Sequence, residues 1–280
     1  MKKKNVFFIA LLFCSFLGLW GCDKFNIAST WKDREITVDG NDTEWQDRMT
    51  QQGAIYLGVS NDAEYLYLCL GATDKKTKAQ LMGLFRQNLS IWFDPEGKKR
   101  KTFGLRFSNE SPMMDESLVS KIKLFKTPMF QLVANEMMSH WEIEVLNNDY
   151  PVALLADAPG IDVSAGIAMR GRKLTYELKV PLVKSEKHPY AIGAVPGKII
   201  SIGMETSPID MGFMRKQFER YSYEMEKSGH SSRWMEYNFD QGGTEDWPTM
   251  AMMLDDPIAY VQVWGKIKLA VDTTAAGVTK

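Results

Sequence analysis

Apolar and polar residues alternate with a period of two along most of the chain after Ile36, and that pattern admits little except β-strands with one face turned inward. Trp141, Ile143 and Val145 alternate with Glu142 and Glu144, and Leu174, Tyr176, Leu178 and Val180 with Thr175, Glu177 and Lys179. Near the end, Val261, Val263, Ile267 and Leu269 alternate with Gln262, Trp264, Lys266 and Lys268. Each stretch predicts a strand with one wet face. Ile55–Val59, Tyr65–Leu70 and Leu89–Phe93 are apolar on both faces and predict interior strands. Asn61-Asp62 separates the first two. Asp94-Pro95-Glu96-Gly97, followed by four basic residues, predicts a charged hairpin tip before Thr102–Phe107. Many short strands so punctuated predict an all-β, antiparallel sandwich of two sheets, jelly-roll-like in outline. Helix is sparse: one short stretch fits Lys75–Phe85. A longer one fits Met211–Lys227, where Met214, Phe218, Tyr221 and Met225 fall at helical spacing.

With 34 Lys+Arg against 35 Asp+Glu, the chain lacks the basic field on which nucleic-acid binding relies. Its three cysteines form no CxxC pair, and three histidines are few for a histidine-built metal site. The N-terminus carries Lys2, Lys3 and Lys4, then an apolar run from Val6 into Trp20, which reads as a secretory signal. The run ends Leu19-Trp20-Gly21-Cys22, similar to a bacterial lipobox, and this similarity implies cleavage before Cys22 and lipidation of its thiol. The expected organisation is a lipoprotein signal over 1–21, a lipid-anchored tether over 22–33, one sandwich domain over 34–271 and a tail over 272–280. The expected place is the bacterial cell envelope, at either membrane. Cys69 would then be the single remaining thiol, a small buried hydrophobe rather than a nucleophile.

Motifs of catalysis are absent: there is no HExxH, GxSxG or GxGxxG. Gly193-Ala194-Val195-Pro196-Gly197-Lys198 is one residue short of a phosphate loop, and Ile199 stands where Ser or Thr would hold magnesium; it reads as a Pro-Gly turn into a strand over Ile199–Glu205. Glu142, Glu144, Glu177 and Glu205 lie on predicted strands and read as solvated faces rather than a glycosidase pair. No enzyme activity is expected. The acidic loop Asp39-Gly40-Asn41-Asp42-Thr43-Glu44 has oxygen ligands enough for calcium, yet an Asp-Gly turn with Asx capping explains it as well. No cofactor is expected, with calcium the minority reading.

Between Met211 and Met253 the chain gathers Phe213, Phe218, Tyr221, Tyr223, Trp234, Tyr237, Phe239 and Trp247, interrupted by Ser228-Gly229 and Gly242-Gly243. Flat rings on such an excursion either stack on the apolar faces of sugars or line a groove for a flat cofactor. They serve equally as a local core that pins a long connection. The helical stripe accounts for Phe218, Tyr221 and Met225; for Trp234 and Trp247 both readings stand.

Several landmarks together resemble the family 9 carbohydrate-binding modules and related DOMON-type sandwiches. Ile36-Thr37-Val38-Asp39-Gly40 with Glu44-Trp45 resembles the opening strand and turn. Ser60–Tyr67 resembles the next hairpin, and Ile91-Trp92-Phe93-Asp94-Pro95 a third landmark. Leu174–Leu182 is similar to the strand ending in a Pro-Leu step, and Gly203-Met204-Glu205 to the one after it. The resemblance implies a sandwich that binds carbohydrate without catalysis, often beside secreted glycoside hydrolases, with tryptophans clamping the ligand. The expected ligand-binding residues are Trp234 and Trp247, flanked by Tyr237 and Trp45. Two alternatives stay open. Some such sandwiches hold haem b through methionine, and Met113-Met114, Met137-Met138 and Met252-Met253 supply candidates, although core filling explains them too. A structural envelope protein would turn its aromatics toward another protein. Expected partners are therefore a glycan and, through the lipid, the membrane.

Overall fold

The computed structural model describes residues 24–83, 87–108, 141–148, 152–167, 173–208 and 260–273, with five helical positions between 212 and 227. Its strands are β1 (Lys24–Ala28), β2 (Thr30–Trp31), β3 (Met49–Gln52), β4 (Ile55–Asn61), β5 (Tyr65–Ala72), β6 (Leu89–Asp94), β7 (Phe103–Ser108), β8 (Glu142–Asn147), β9 (Ala153–Leu154), β10 (Asp162–Ile167), β11 (Leu174–Pro181), β12 (Ile199–Thr206) and β13 (Gln262–Lys268). One helix with described bounds, α1 (Lys75–Leu81), follows β5; Asp74 caps it by accepting the Thr77 amide at 2.9 Å. In the expected Met211–Lys227 helix, positions 212, 216, 219, 223 and 227 are helical and exposed, and its apolar stripe lies outside the described residues.

The strands form two sheets. The seven-stranded sheet runs β1-β13-β12-β6-β7-β8-β9, and the six-stranded sheet runs β10-β11-β5-β4-β2 with β3 also on β4. The chain passes between sheets repeatedly, as from β5 to β6 and from β11 to β12, so neither layer can fold without the other. Inner residues of both sheets form one apolar cluster. Leu68, Leu70, Tyr176 and Leu178 come from the six-stranded sheet, and Ile91, Phe93, Leu105, Ile202 and Ile267 from the seven-stranded one. The fold is thus the all-β sandwich that the alternation predicts.

Four differences matter. Two strand pairs are parallel, β1 with β13 and β2 with β4, where the sequence predicts antiparallel sheets. The stretch expected as a tether over 22–33 contains β1, whose Phe25 ring is buried against Gly265 in the core. Ile36-Thr37-Val38 forms no strand; Ile36 packs beside Trp45, Tyr67 and Cys69. And β11 has no wet face: Thr175 and Glu177 are each 1% exposed. A third layer of chain, residues 32–48, covers that side.

Candidate functional site

Each sheet has an outer face, and the two are finished differently. On the six-stranded sheet, Glu177 gathers the opening segment. Its Oε2 accepts the backbone N–H groups of Asp39 (3.0 Å) and Gly40 (2.8 Å), and its Oε1 accepts the Trp45 indole N–H at 2.7 Å. Gly40 is required here: its φ is +85°, and a Cβ would meet the Ala165 carbonyl carbon at 2.8 Å. Trp45 ends a 3-10 turn and lies over Gly58, where a Cβ would meet the ring at 2.7 Å. The indole is 1% exposed. Trp45 is therefore a core residue with no face open to a sugar, and the expected flanking role is corrected accordingly. Burial pushes the Glu177 carboxyl above the usual glutamate range, against the pull of its three N–H partners.

The acidic loop beside it is occupied by its own bonds. Asp39 Oδ1 accepts the Asn41 amide at 2.8 Å, Asn41 Oδ1 accepts the Thr43 hydroxyl at 2.7 Å, and Asp42 pairs with Lys173 at 2.6 Å. Among the described residues no group of three or more His, Cys, Asp or Glu could hold a metal ion.

Cys69, on the same covered face, is buried as expected, and burial raises its thiol far above the ordinary range, so it stays protonated.

The outer face of the seven-stranded sheet carries aromatic rings as a row. The register places Lys24, Trp264, Gly203, Trp92 and Gly104 side by side across β1, β13, β12, β6 and β7. Each indole spreads over the adjacent glycine. A Cβ on Gly203 would meet the Trp264 ring at 2.4 Å, and one on Gly104 the Trp92 ring at 2.6 Å. Only glycine leaves room for a ring to lie flat on the sheet. Trp264 is 7% exposed and Trp92 half-buried.

Two residues along each strand, about 7 Å away, lies a polar row on the same face: Glu205, Ser90, Arg106 and Glu144. The Trp92 indole N–H donates to Glu205 Oε1 at 2.9 Å, which fixes the ring's orientation. Lys101 Nζ bonds the same oxygen at 2.6 Å and stands 5.6 Å from the Trp92 ring centroid. Arg106 Nε pairs with Glu144 at 2.5 Å. The Lys101 side chain is half-exposed. A flat aromatic plane bordered by carboxylates, a guanidinium and an ammonium can stack a sugar ring and bond its hydroxyls.

Sequence reasoning expected the rings elsewhere. Trp234, Tyr237 and Trp247 lie outside the described residues, as do Cys22 and the paired methionines at 113–114, 137–138 and 252–253. Trp92 was legible only as a strand residue. The available signal was the pairing of Trp92 and Trp264 with strand glycines at 104 and 203.

No family model matches the chain, and no curated protein matches it. Among solved structures it is similar to a family 9 carbohydrate-binding module from Caldicellulosiruptor kristjanssonii, seen in complex with glucose and with cellotriose. The glucose complex gives 11% identity and a TM-score of 0.31 over 68% of this chain and 81% of the other. The cellotriose complex gives 12% and 0.32 over 68% and 80%. At such scores the likeness transfers no residue role, and the sandwich assignment rests on the strand pairing above.

Proposed function

We propose that this protein is a non-catalytic lipoprotein of the bacterial cell envelope, anchored through Cys22, that binds carbohydrate on aromatic rings. The observation that carries the reading is the Trp92 plane, laid on Gly104 and oriented by Glu205, with Lys101, Arg106 and Glu144 at its border. Trp234, Trp247 and Tyr237 are assigned to the same ligand on the sequence argument, because β12 ends at Thr206 and β13 begins at Gln262, so their excursion starts and ends at the edge of this sheet face. Support for the anchor is the lipobox-like Leu19–Cys22.

The test is a glycan array followed by calorimetric titration. Trp92→Ala, Trp234→Ala and Trp247→Ala should each weaken binding of the glycan found, by about tenfold or more, which corresponds to roughly 1.4 kcal/mol. An array without hits, or affinities unchanged in all three variants, contradicts the reading.

A further inference from the structure

We propose that the carbohydrate taken up at the Trp92 plane is acidic, a glycan whose carboxylate or sulfate groups are held by Lys266 and Lys268 on the outer face of β13. This rests on the carbohydrate reading of that plane and deepens it by naming the class of sugar. Ile267 and Leu269 belong to the core, so alternation turns Lys266 and Lys268 outward, onto the face that carries Trp264 and, two strands over, Trp92. Both lysines are exposed. They stand two residues apart on one strand, about 7 Å. The register sets only neutral residues beside them: Asn26 and Ser201 flank Lys266, and Ala28 and Ile199 flank Lys268.

Neither lysine has a hydrogen bond or an ion pair among the described residues. The acids of this face are engaged elsewhere. Asp94, next in the row beyond Ser201, is fully buried and accepts the backbone N–H groups of Glu96, Lys98 and Arg100. Glu205 accepts from Trp92 and Lys101, and Glu144 from Arg106. The six-stranded side shows the contrast: Lys32, Lys173 and Lys179 each meet an aspartate, Asp62 at 3.8 Å, Asp42 at 2.6 Å and Asp162 at 3.0 Å. Two neighbouring cations without a counter-charge repel each other and attract an anion. They lie toward the sheet end where β12 begins and β13 stops, which is closed by the Asp94–Thr102 turn and by residues 182–198. From β6 to β13 is two strand spacings, about 10 Å, so a sugar stacked on Trp92 presents the next residue of its chain to Lys266. A bilayer is the weaker match, because recognition of anionic lipid takes clusters of about four to eight Lys or Arg, and here two free cations stand beside a ring suited to sugar.

The experiment titrates the full chain with an oligosaccharide of galacturonic acid and with its methyl ester, which keeps the ring and loses the charge. A sulfated glucan and its unsulfated parent run in parallel, and the pair that shows the preference identifies the anion. The wild type should bind one charged form at least about fivefold more tightly than its neutral counterpart, and added salt should erase the preference. K266Q combined with K268Q should abolish the preference and leave both the neutral form's affinity and the melting temperature unchanged, since both side chains are in solvent. No preference for either charged form, or a preference that survives the double substitution, overturns the acidic class while the carbohydrate reading stands on the array and on Trp92→Ala. Weakened attachment to phosphatidylglycerol vesicles in the double variant, with the glycan preference intact, assigns the lysines to a bilayer and overturns it equally. An array without hits overturns both readings together.

Discussion

The two outer faces of this sandwich use the same device, an indole laid across a strand glycine, and arrive at opposite ends. Trp45 covers Gly58 on the six-stranded sheet and is sealed; Trp92 covers Gly104 on the seven-stranded sheet and stays half-buried. The difference lies in what else reaches each face. Residues 32–48 fold back onto the first, held by Glu177, whose two oxygens accept two backbone N–H groups and the N–H of the buried Trp45 indole. On the second, the indole N–H also meets a glutamate, but Glu205 shares its oxygen with the solvent-facing Lys101. A tryptophan bonded to a carboxylate is thus a core fastener on one side and a surface plane on the other.

Trp45→Ala should break the sealed face most severely. It removes a fully buried indole, leaves Glu177 Oε1 unpaired, and should cost about 3–5 kcal/mol in chemical unfolding. If the loss is under about 1 kcal/mol, residues 32–48 are not the third layer described. Trp92→Ala should cost only about 1–2 kcal/mol of stability, since its ring is partly solvated, while weakening sugar binding as stated above. The reverse order of stability losses would invert the comparison.

Acid sharpens the contrast at smaller amplitude. Asp94 closes the hairpin between β6 and β7 by accepting the backbone N–H groups of Glu96, Lys98 and Arg100. Burial raises its carboxyl, but those three donors prevail and hold it below the ordinary aspartate range. Its contribution is therefore complete above about pH 4 and is lost as pH falls through the lowered value. Glu177 is shifted the other way, so its contribution is complete below about pH 4.3 and declines as pH rises through the raised value. Amide exchange followed by NMR should show Glu96, Lys98 and Arg100 losing protection on acidification while Asp39 and Gly40 keep theirs. Simultaneous loss in both groups would mean that the carboxylates are not separately poised.

The strands were legible because alternation reports directly on burial by an opposing sheet. Tyr65–Leu70, Leu89–Phe93 and Leu174–Val180 fall within β5, β6 and β11. Two things were not legible. Period two cannot reveal a third layer, so Glu177 and Thr175 read as solvated when residues 32–48 cover them. Nor can it reveal β1, whose five residues pair parallel to a strand some 240 positions away. Trp45 shows the same limit: beside an Asp-Gly turn in a polar loop it reads as exposed, and only the docking of that turn on Glu177 makes it core. Trp92 went the other way, hidden in a run that is apolar on both sides.

The account stands or falls on which outer face meets the ligand, and hydrogen exchange read by mass spectrometry, with and without the best glycan from the array, measures that directly. Added glycan should protect peptides from 89–107 and 199–206 and leave 36–48 and 174–181 unchanged. Protection confined to 36–48 and 174–181 would contradict it.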